Sequence, residues 1–323
     1  IKVMGQLDIA ERRMPKDGRA SVRIGDGEVD VRISVVPTAE GERCVMRLLD
    51  KSARVYELDS IGLDEQNLAT LNHYVKFPHG IILVTGPTGS GKTTTLYGSL
   101  TAISTGDKNI LTIEDPVEYQ LDGISQVQVN AKKGLTFSAG LRSFLRQDPD
   151  VMMVGEIRDV ETAEIAIRAA ITGHLVFSTV HTNDAPSTVT RLIDLGLEPY
   201  LVSSSLVLVV AQRLVRCLCD SCHEWVIPDE HQLAQLRAIG INASQLKDGK
   251  MAVANGCTEC FHSGFSGRTA LYELMPMTDT LRELVMDNVS ATVLKRAAVE
   301  GGMRTLRSDG NLKVIDGITS PDE

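Results

Sequence analysis

The stretch from Ile81 to Thr95, IILVTGPTGSGKTTT, limits what this chain can fold into more than any other. Ile81-Ile82-Leu83-Val84-Thr85 is an apolar, partly β-branched run of the kind that forms a strand buried on both faces. Gly86-Pro87-Thr88-Gly89-Ser90-Gly91-Lys92-Thr93 then satisfies every fixed position of the G-x-x-x-x-G-K-[ST] phosphate loop. Leu96, Tyr97 and Leu100 follow at helical spacing, so the loop is bracketed by a strand and a helix. Glycines let the backbone curl round a phosphate with its N–H groups pointing inward, and the helix N-terminus adds partial positive charge. In such a loop Lys92 reaches the β- and γ-phosphates, and the Thr93 hydroxyl ligates Mg²⁺. A glycine-rich turn can match the pattern alone; the strand before it and the helix after it set a phosphate loop apart. The chain is expected to bind a nucleoside triphosphate and to hydrolyse it.

A length of 323 residues leaves room for two or three domains around this loop. Apolar content of 43% and charged content of 23% are those of an ordinary globular protein and argue against extended disorder. The formal net charge is -9, and no Lys/Arg cluster is longer than Arg12-Arg13 or Lys132-Lys133. A nucleic-acid partner usually calls for a basic stripe, and the sequence has none; a local basic groove stays open. The most apolar long window, Leu201 to Val215, is interrupted by Ser203, Ser204, Ser205, Gln212 and Arg213, which makes it too short and too polar to span a bilayer. Membrane association is therefore expected to run through a partner. The chain opens on Ile1 without a signal-peptide pattern and is expected to start inside a domain.

Residues 1–50 read as a small β-rich unit in which acidic and basic residues balance. Asp30–Val36 and Glu42–Leu49 partly alternate apolar with polar residues, with the turn between them at Pro37–Gly41. That alternation puts Arg32 and Arg47 on polar faces, where solvated strand residues are the plain reading. Residues 51–62, polar and carrying Gly62, read as a linker before a helical pattern at Leu63, Leu68, Leu71 and Val75.

The core domain is expected over 63–215. Its second strand, Asn109–Ile113, ends in Glu114-Asp115-Pro116-Val117-Glu118. Carboxylates at the strand ends of an open α/β sheet line the ligand crevice and can orient water or hold Mg²⁺; an acidic turn capped by Pro116 is the alternative. Arg142 and Arg146 share a helix face at i, i+4. Val151–Val154 is the next strand, followed by Gly155 and Glu156. An apolar strand closing in a carboxylate downstream of a phosphate loop is the Walker B arrangement, here with Gly155 intervening and Glu in place of Asp. Glu161–Ala170 forms an amphipathic helix with Ala163, Ile165, Ala166, Ile167, Ala169 and Ala170 as buried positions. The strand Leu175–Val180 follows Thr172-Gly173-His174 and leads into His181, which senses a γ-phosphate from that position or is simply a surface histidine.

Six cysteines include two C-x-x-C pairs, Cys219/Cys222 and Cys257/Cys260, a usage that suits a reducing compartment better than a disulfide framework. Four thiolates give a closed tetrahedral zinc site of the structural kind, with Cys217, His223 and His262 close enough in sequence to substitute. A redox C-x-x-C is the competing view, and Cys44 and Cys217 read as unpaired. The zinc module is expected over 216–265. A helical subdomain over 266–323 follows from Leu271, Leu274, Leu281, Leu284, Val285, Val293, Leu294 and Ala297.

In order and spacing, GPTGSGKTTT from Gly86, TIEDPVEY from Thr112, GLRSFLRQDPDVMMVGEIRD from Gly140, TGHLVFSTVHTND from Thr172 and the two cysteine knuckles resemble the ATPases of type II secretion and type IV pilus assembly. The motifs cover nearly the whole chain. The resemblance implies an α/β fold: a RecA-like P-loop core, a small preceding α/β domain of which 1–50 is the C-terminal, PAS-like part, a four-cysteine zinc insert and a helical C-terminal subdomain. It implies ATP, Mg²⁺ and Zn²⁺ as cofactors, and a homo-hexamer acting on inner-membrane platform proteins at the cytoplasmic face of a bacterial inner membrane, with no nucleic acid.

Residue by residue, the resemblance makes Glu114, Asp115 and Glu118 an Asp box, Glu156 the Walker B acid, and His174 and His181 a His box. It makes Gly86 to Thr93, with Thr94, Arg142 and Arg146, nucleotide contacts, and lets Arg32 and Arg47 reach the phosphates from the preceding domain. Whether Glu114 or Glu156 orients the attacking water stays open. Retraction motors of the pilus system generally lack the four cysteines, which favours the secretion and assembly branch. Relatives usually begin earlier and run on past the GITSPDE stretch. A ring translocase on DNA and a non-hydrolysing P-loop scaffold are the other classes the residues allow.

Overall fold

The computed structural model describes residues 1–24, 27–50 and 56–323. Two units divide the chain, residues 1–55 with 116–122, and residues 56–115 with 123–323. The smaller unit is an antiparallel sheet of three consecutive strands, β1 (Lys16–Ile24), β2 (Gly27–Thr38) and β3 (Gly41–Asp50). Strand side chains alternate between faces. Val31, Ile33 and Val35 therefore share one face of β2, where they are buried against Leu7, Ala20 and Val22, and Arg32 and Ser34 leave by the other. β1 has no counterpart in the sequence expectation, because its KDGRASVRI opens on charge and glycine and hides the alternation.

The larger unit opens with α1 (Glu65–Tyr74), then alternates strand and helix: β4 (Gly80–Thr85), α2 (Lys92–Ile103), β5 (Ile110–Glu114), β6 (Ser125–Gln128), α3 (Phe137–Phe144), β7 (Val151–Val154), α4 (Val160–Ile171), β8 (Leu175–Val180), α5 (Ala185–Asp194) and α6 (Pro199–Ser205). β9 (Leu206–Leu218) is followed by the cysteine insert with β10 (Glu224–Val226), α7 (Glu230–Ile239) and β11 (Met251–Val253), then by β12 (Phe265–Pro276), α8 (Asp279–Met286), α9 (Ala291–Glu300) and α10 (Leu306–Ile315).

Seven strands form one sheet in the order β12-β9-β4-β8-β7-β5-β6, parallel except for the antiparallel β9–β12 edge pair. β4, β5, β7 and β8 are buried along their whole length, as strands covered by helices on both faces must be. Parallel order puts their C-terminal ends along one edge, where the chain presents Gly86, Asp115, Glu156 and His181 in turn. α4 buries Ala163, Ile165, Ala166, Ile167, Ala169 and Ala170, the face its periodicity predicts.

Two expectations need correction. Residues 269–276 are strand, not helix: Ala270, Tyr272 and Leu274 are buried at period two against β9, and the i, i+3 spacing of Leu271 and Leu274 is coincidental. The part of the expected linker within the described residues, 56–62, is packed rather than loose. Leu58 is buried, and a Cβ on Gly98 of α2 would come within 3.0 Å of both the Tyr56 carbonyl and Leu58. Lys313 Nζ donates to the Gly62 carbonyl at 2.8 Å, and the Tyr272 hydroxyl to the Ile61 carbonyl at 3.2 Å. Residues 51–55 of that linker lie outside the described residues.

Candidate active site

Gly86 leaves β4 with φ 145°, and a Cβ there would lie 2.3 Å from the Gln212 carbonyl oxygen. Only glycine lets the loop run that close to β9. Gly89 and Gly91 also take positive φ, and Gly91 is the N-cap of α2 with no side chain capping it. α1, α3, α4, α5, α7, α8 and α10 all have a side-chain acceptor on a first-turn amide. α6 and α9 also lack a side-chain cap, but α2 is the uncapped helix that follows a phosphate-loop sequence, so its first amides are free to meet an anion at an end the helix dipole favours. Lys92 Nζ donates to the carbonyls of Gly86 at 2.7 Å and Pro87 at 3.2 Å, which folds it over the loop it would serve. Burial lowers the Lys92 pKa from its ordinary value, and the Glu156 carboxylate partly opposes the shift.

Glu156 is that carboxylate. Its Oε1 is 2.5 Å from Arg158 Nη2, and its Oε2 is 3.6 Å from His181 Nε2. Asp115, exposed at the end of β5, adds to the field on Arg158, whose pKa is raised first by its bond to Glu156. Walker B strand β7 ends at Val154, so the intervening Gly155 carries Glu156 beyond the sheet edge and toward the lysine. Lys92, Glu156, Arg158, Asp115 and His181 therefore belong to one electrostatic cluster at the C-terminal edge of the sheet.

Glu114 behaves differently. It is 3% exposed, and its carboxylate accepts from the Tyr97 hydroxyl, from Thr112 Oγ1 at 2.5 Å and from Gln126 Nε2 at 3.2 Å. These donors tie β5 to α2 and β6 and engage both oxygens of the carboxylate. Glu118 lies in the 116–122 segment that groups with the small unit. His174 stands at the start of β8, at the opposite end of that strand from His181, with Nδ1 2.9 Å from the Ala169 carbonyl at the end of α4. Arg142 reaches Glu161 on α4 at 2.6 Å, and Arg146 donates to the Arg142 carbonyl at 2.8 Å. Among the described residues neither arginine bonds to the phosphate loop.

Several supporting residues went unseen in the sequence. Gln212, 2% exposed in the middle of β9, accepts from Thr95 Oγ1 at 2.7 Å and sets its amide against Gly91. Thr85, at the end of β4, bonds to Thr182 Oγ1 at 2.7 Å and receives the Thr182 amide at 2.8 Å, which ties the turn after His181 to the root of the phosphate loop. The available signal was a lone polar residue ending or interrupting an otherwise apolar strand. In a buried strand such a residue must find a partner.

The four cysteines come together. Their sulfurs lie within 4.8 Å of one another, with Cys219–Cys257 at 3.9 Å, Cys222–Cys260 at 3.8 Å and Cys257–Cys260 at 3.7 Å. Four sulfurs placed tetrahedrally about 2.3 Å from a zinc ion would be roughly 3.8 Å apart, so the donor set fits that metal. Cys260 Sγ accepts the amides of Cys257 at 3.1 Å and Gly264 at 3.3 Å, and these draw its pKa down to about 6. His223 is instead bonded through Nδ1 to the Cys219 carbonyl at 3.0 Å, and neither Cys217 nor His262 joins the set.

Residues 1–323 match the family described as Type II/IV secretion system protein. Type II secretion system protein E of Pseudomonas aeruginosa is 52% identical over 323 residues, covering 100% of this chain and 63% of that protein. The Type IV pilus assembly ATPase PilB of Myxococcus xanthus is 51% identical over 325 residues, covering 100% and 57%. The chain thus spans less than two thirds of the length of these relatives. Among solved structures, that of the pilus retraction motor PilT with bound ADP superposes with a TM-score of 0.67 at 29% identity, covering 95% of this chain and 75% of that one. The ATPase DotB of Legionella pneumophila shares the fold at 23% identity, with a TM-score of 0.68 and coverage of 95% and 75%.

Proposed function

Because the chain belongs to the type II/IV secretion system protein family, we propose that it is the ATP-hydrolysing part of a motor for type II protein secretion or type IV pilus assembly. The observation that carries this reading is the uncapped α2 N-terminus with Lys92 folded over it and Glu156 alongside. The loop amides and Lys92 hold the β- and γ-phosphates of ATP, with Gly86 to Thr94 forming the cradle. Thr93 and Glu156 are the residues to hold Mg²⁺, which when bound neutralises charge on the phosphate oxygens. His181, beside Glu156, reports the terminal phosphate to the rest of the sheet edge.

Of the two glutamates, Glu156 is the one to orient the attacking water, since its carboxylate stands among charged groups at the sheet edge. Glu114, whose carboxylate is engaged inside the unit, is a positioning residue that fixes β5 and hence Asp115. Arg32 and Arg47 of the small unit neutralise charge on the transferring phosphoryl group, a contribution of the arginine-finger kind. Arg142 and Arg146 are assigned to the nucleotide, and Glu118 and His174 to their motifs, on the family resemblance alone. Zinc on Cys219, Cys222, Cys257 and Cys260 closes the insert structurally.

In the assembly, six copies form a ring on the cytoplasmic face of an inner membrane and act on platform proteins. Among the described residues no helix is long and apolar enough to cross a membrane. A DNA translocase would need a basic track, and the net charge of -9 offers it little support.

The test is ATP turnover with and without Mg²⁺ in the parent chain and in Glu156→Gln. Mg²⁺-dependent turnover in the parent, with at least roughly a hundredfold loss in the variant and retained ATP binding, is the expected result. A variant as fast as the parent removes Glu156 from the mechanism, and a parent that binds ATP without cleaving it makes the chain a scaffold.

A further inference from the structure

Among the described residues, the side-chain hydrogen bonds that leave residues 86–95 for another element start at one hydroxyl, that of Thr95. Lys92 Nζ bonds to carbonyls of the loop itself, those of Gly86 and Pro87, and Ser90 Oγ is buried without a hydrogen-bond partner. Thr95 Oγ1 instead donates to Gln212 Oε1 on β9 at 2.7 Å and lies 3.4 Å from the Tyr272 hydroxyl on β12. Gln212 and Tyr272 stand directly opposite each other on the β9–β12 ladder, so both side chains leave the sheet on one face and meet the same turn of α2. All three residues are buried.

Gln212 also stands against the loop at both of its ends. β4 pairs with β9 as far as Thr85 opposite Ala211, so Gln212 comes next, where the chain leaves the sheet as the phosphate loop. A Cβ on Gly86 would lie 2.3 Å from the Gln212 carbonyl oxygen, and one on Gly91 would lie 2.8 Å from Gln212 Nε2. One residue thus bears on the start of the loop, on the N-cap of α2 and, through Thr95, on the first turn of the helix. Burial of Leu96 and Leu100 holds α2 to the sheet without direction. A hydrogen bond between buried groups adds direction and is costly to leave unmade. The carboxamide suits the place, because it accepts the Thr95 hydroxyl without setting a carboxylate charge beside a phosphate site.

We propose that Gln212 is a positioning residue for the nucleotide phosphates: by holding Thr95 it sets the first turn of α2, and with it the Lys92 ammonium and the loop amides, where the β- and γ-phosphates need them. It touches no phosphate itself. This role rests on the assignment of residues 86–94 to the nucleotide. Misplacing a binding group by about 1 Å can cost on the order of 10²-fold in rate. Loss of the Thr95–Gln212 bond is therefore felt in nucleotide binding and turnover more than in folding.

The test measures Mg²⁺-ADP binding, Mg²⁺-ATP turnover and thermal unfolding for the full chain and for Thr95→Val, Thr95→Ser, Gln212→Met and the double variant Thr95→Val/Gln212→Met. Ser205→Ala is the control: Ser205 is buried just before the start of β9, and its hydroxyl bonds to the Leu201 carbonyl at 2.6 Å. The expected result is a Kd for ADP raised roughly tenfold or more in Thr95→Val and in Gln212→Met, with kcat/KM for ATP lowered at least as much. The double variant should lose no more than the worse single one, because both remove the same bond. Thr95→Ser, which keeps the hydroxyl, should stay within about threefold of the parent, as should Ser205→Ala. Parent-like ADP affinity in Thr95→Val or Gln212→Met, whatever the Tm, would reduce the bond to a structural brace and overturn the proposal. An equal loss in Thr95→Ser or Ser205→Ala would overturn it too. A parent that binds ADP without cleaving ATP removes the hydrolysis reading, and the Kd comparison still decides the role of Gln212; a parent that binds no ADP removes the cradle and the proposal together. If Gln212→Met does not fold, Thr95→Val against Thr95→Ser decides by the same Kd criterion.

Discussion

Tyr97, in the second turn of α2, and Glu114, the last residue of β5, are both buried. A buried carboxylate is costly unless donors surround it, and the Tyr97 hydroxyl is one of its donors, beside Thr112 and Gln126. Tyr97→Phe leaves the ring in place and removes that donor, so it is expected to cost about 1.5–3 kcal/mol, the range for hydrogen bonds to charged groups. Urea unfolding reads this directly. The same variant should lose far less turnover than Glu156→Gln; an equal loss would return Glu114 to the chemistry. Residues of this kind set the limit of sequence reading. The placement of Lys92, Thr93 and Glu156 at one sheet edge was legible because a phosphate loop and a strand-end acid are defined by spacing along the chain. Gln212 and Thr182 were not, because their partners Thr95 and Thr85 lie 117 and 97 residues away.

Helix ends and the cysteine insert set predictions at the scale of elements. Asp64 caps α1 through the Asn67 amide at 2.9 Å and meets Arg304, which precedes α10. Burial pushes the Asp64 carboxyl up, but the Asn67 amide and the Arg304 guanidinium outweigh it, and its pKa falls below 3.8. A carboxyl with a lowered folded pKa contributes stability that is present above its unfolded pKa and lost as pH falls through the folded one. Asp64→Ala should therefore cost about 0.5–2 kcal/mol at pH 7, the usual worth of an N-cap. The difference from the parent should shrink below about pH 4; a difference independent of pH would contradict the assignment.

In the insert, the expected result of metal analysis is about one zinc per chain. Cys260→Ser should lose the metal and lower the Tm while ATP still binds, and parent-like zinc content in that variant would reject the four-thiolate site. The knuckles were readable from two C-x-x-C pairs, whereas α7 and the hairpin of β10 and β11 between them were not. That stretch is polar on its surface and has a small core of Leu236, Ile241, Leu246 and Met251, with Val314 of α10. β12 was misread for a different reason: Leu271 and Leu274 lie three apart as on a helix, but in the strand they fall on opposite faces, and Tyr272 to Met275 are all buried.

For the whole molecule, alternation of buried apolar strands with helices was enough to predict an α/β sheet with its loops along one edge, and the fold bears that out. Membership of the 116–122 segment in the small unit was not legible, since it depends on contacts between stretches far apart in sequence. A formal charge of -9 and a balanced small unit concealed that Arg19, Arg32 and Arg47 lie opposite one another across β1, β2 and β3, because composition averages over faces that the ladder register separates. The central claim is that the loop from Gly86 to Thr93 grips a nucleotide whose terminal phosphate is then cleaved. The most direct test is Mg²⁺-ATP turnover in the parent chain beside Lys92→Ala, with thermal unfolding of both. Turnover in the parent and its loss by at least roughly a hundredfold in Lys92→Ala, at an unchanged Tm, is predicted; full turnover without the Lys92 ammonium would contradict the account.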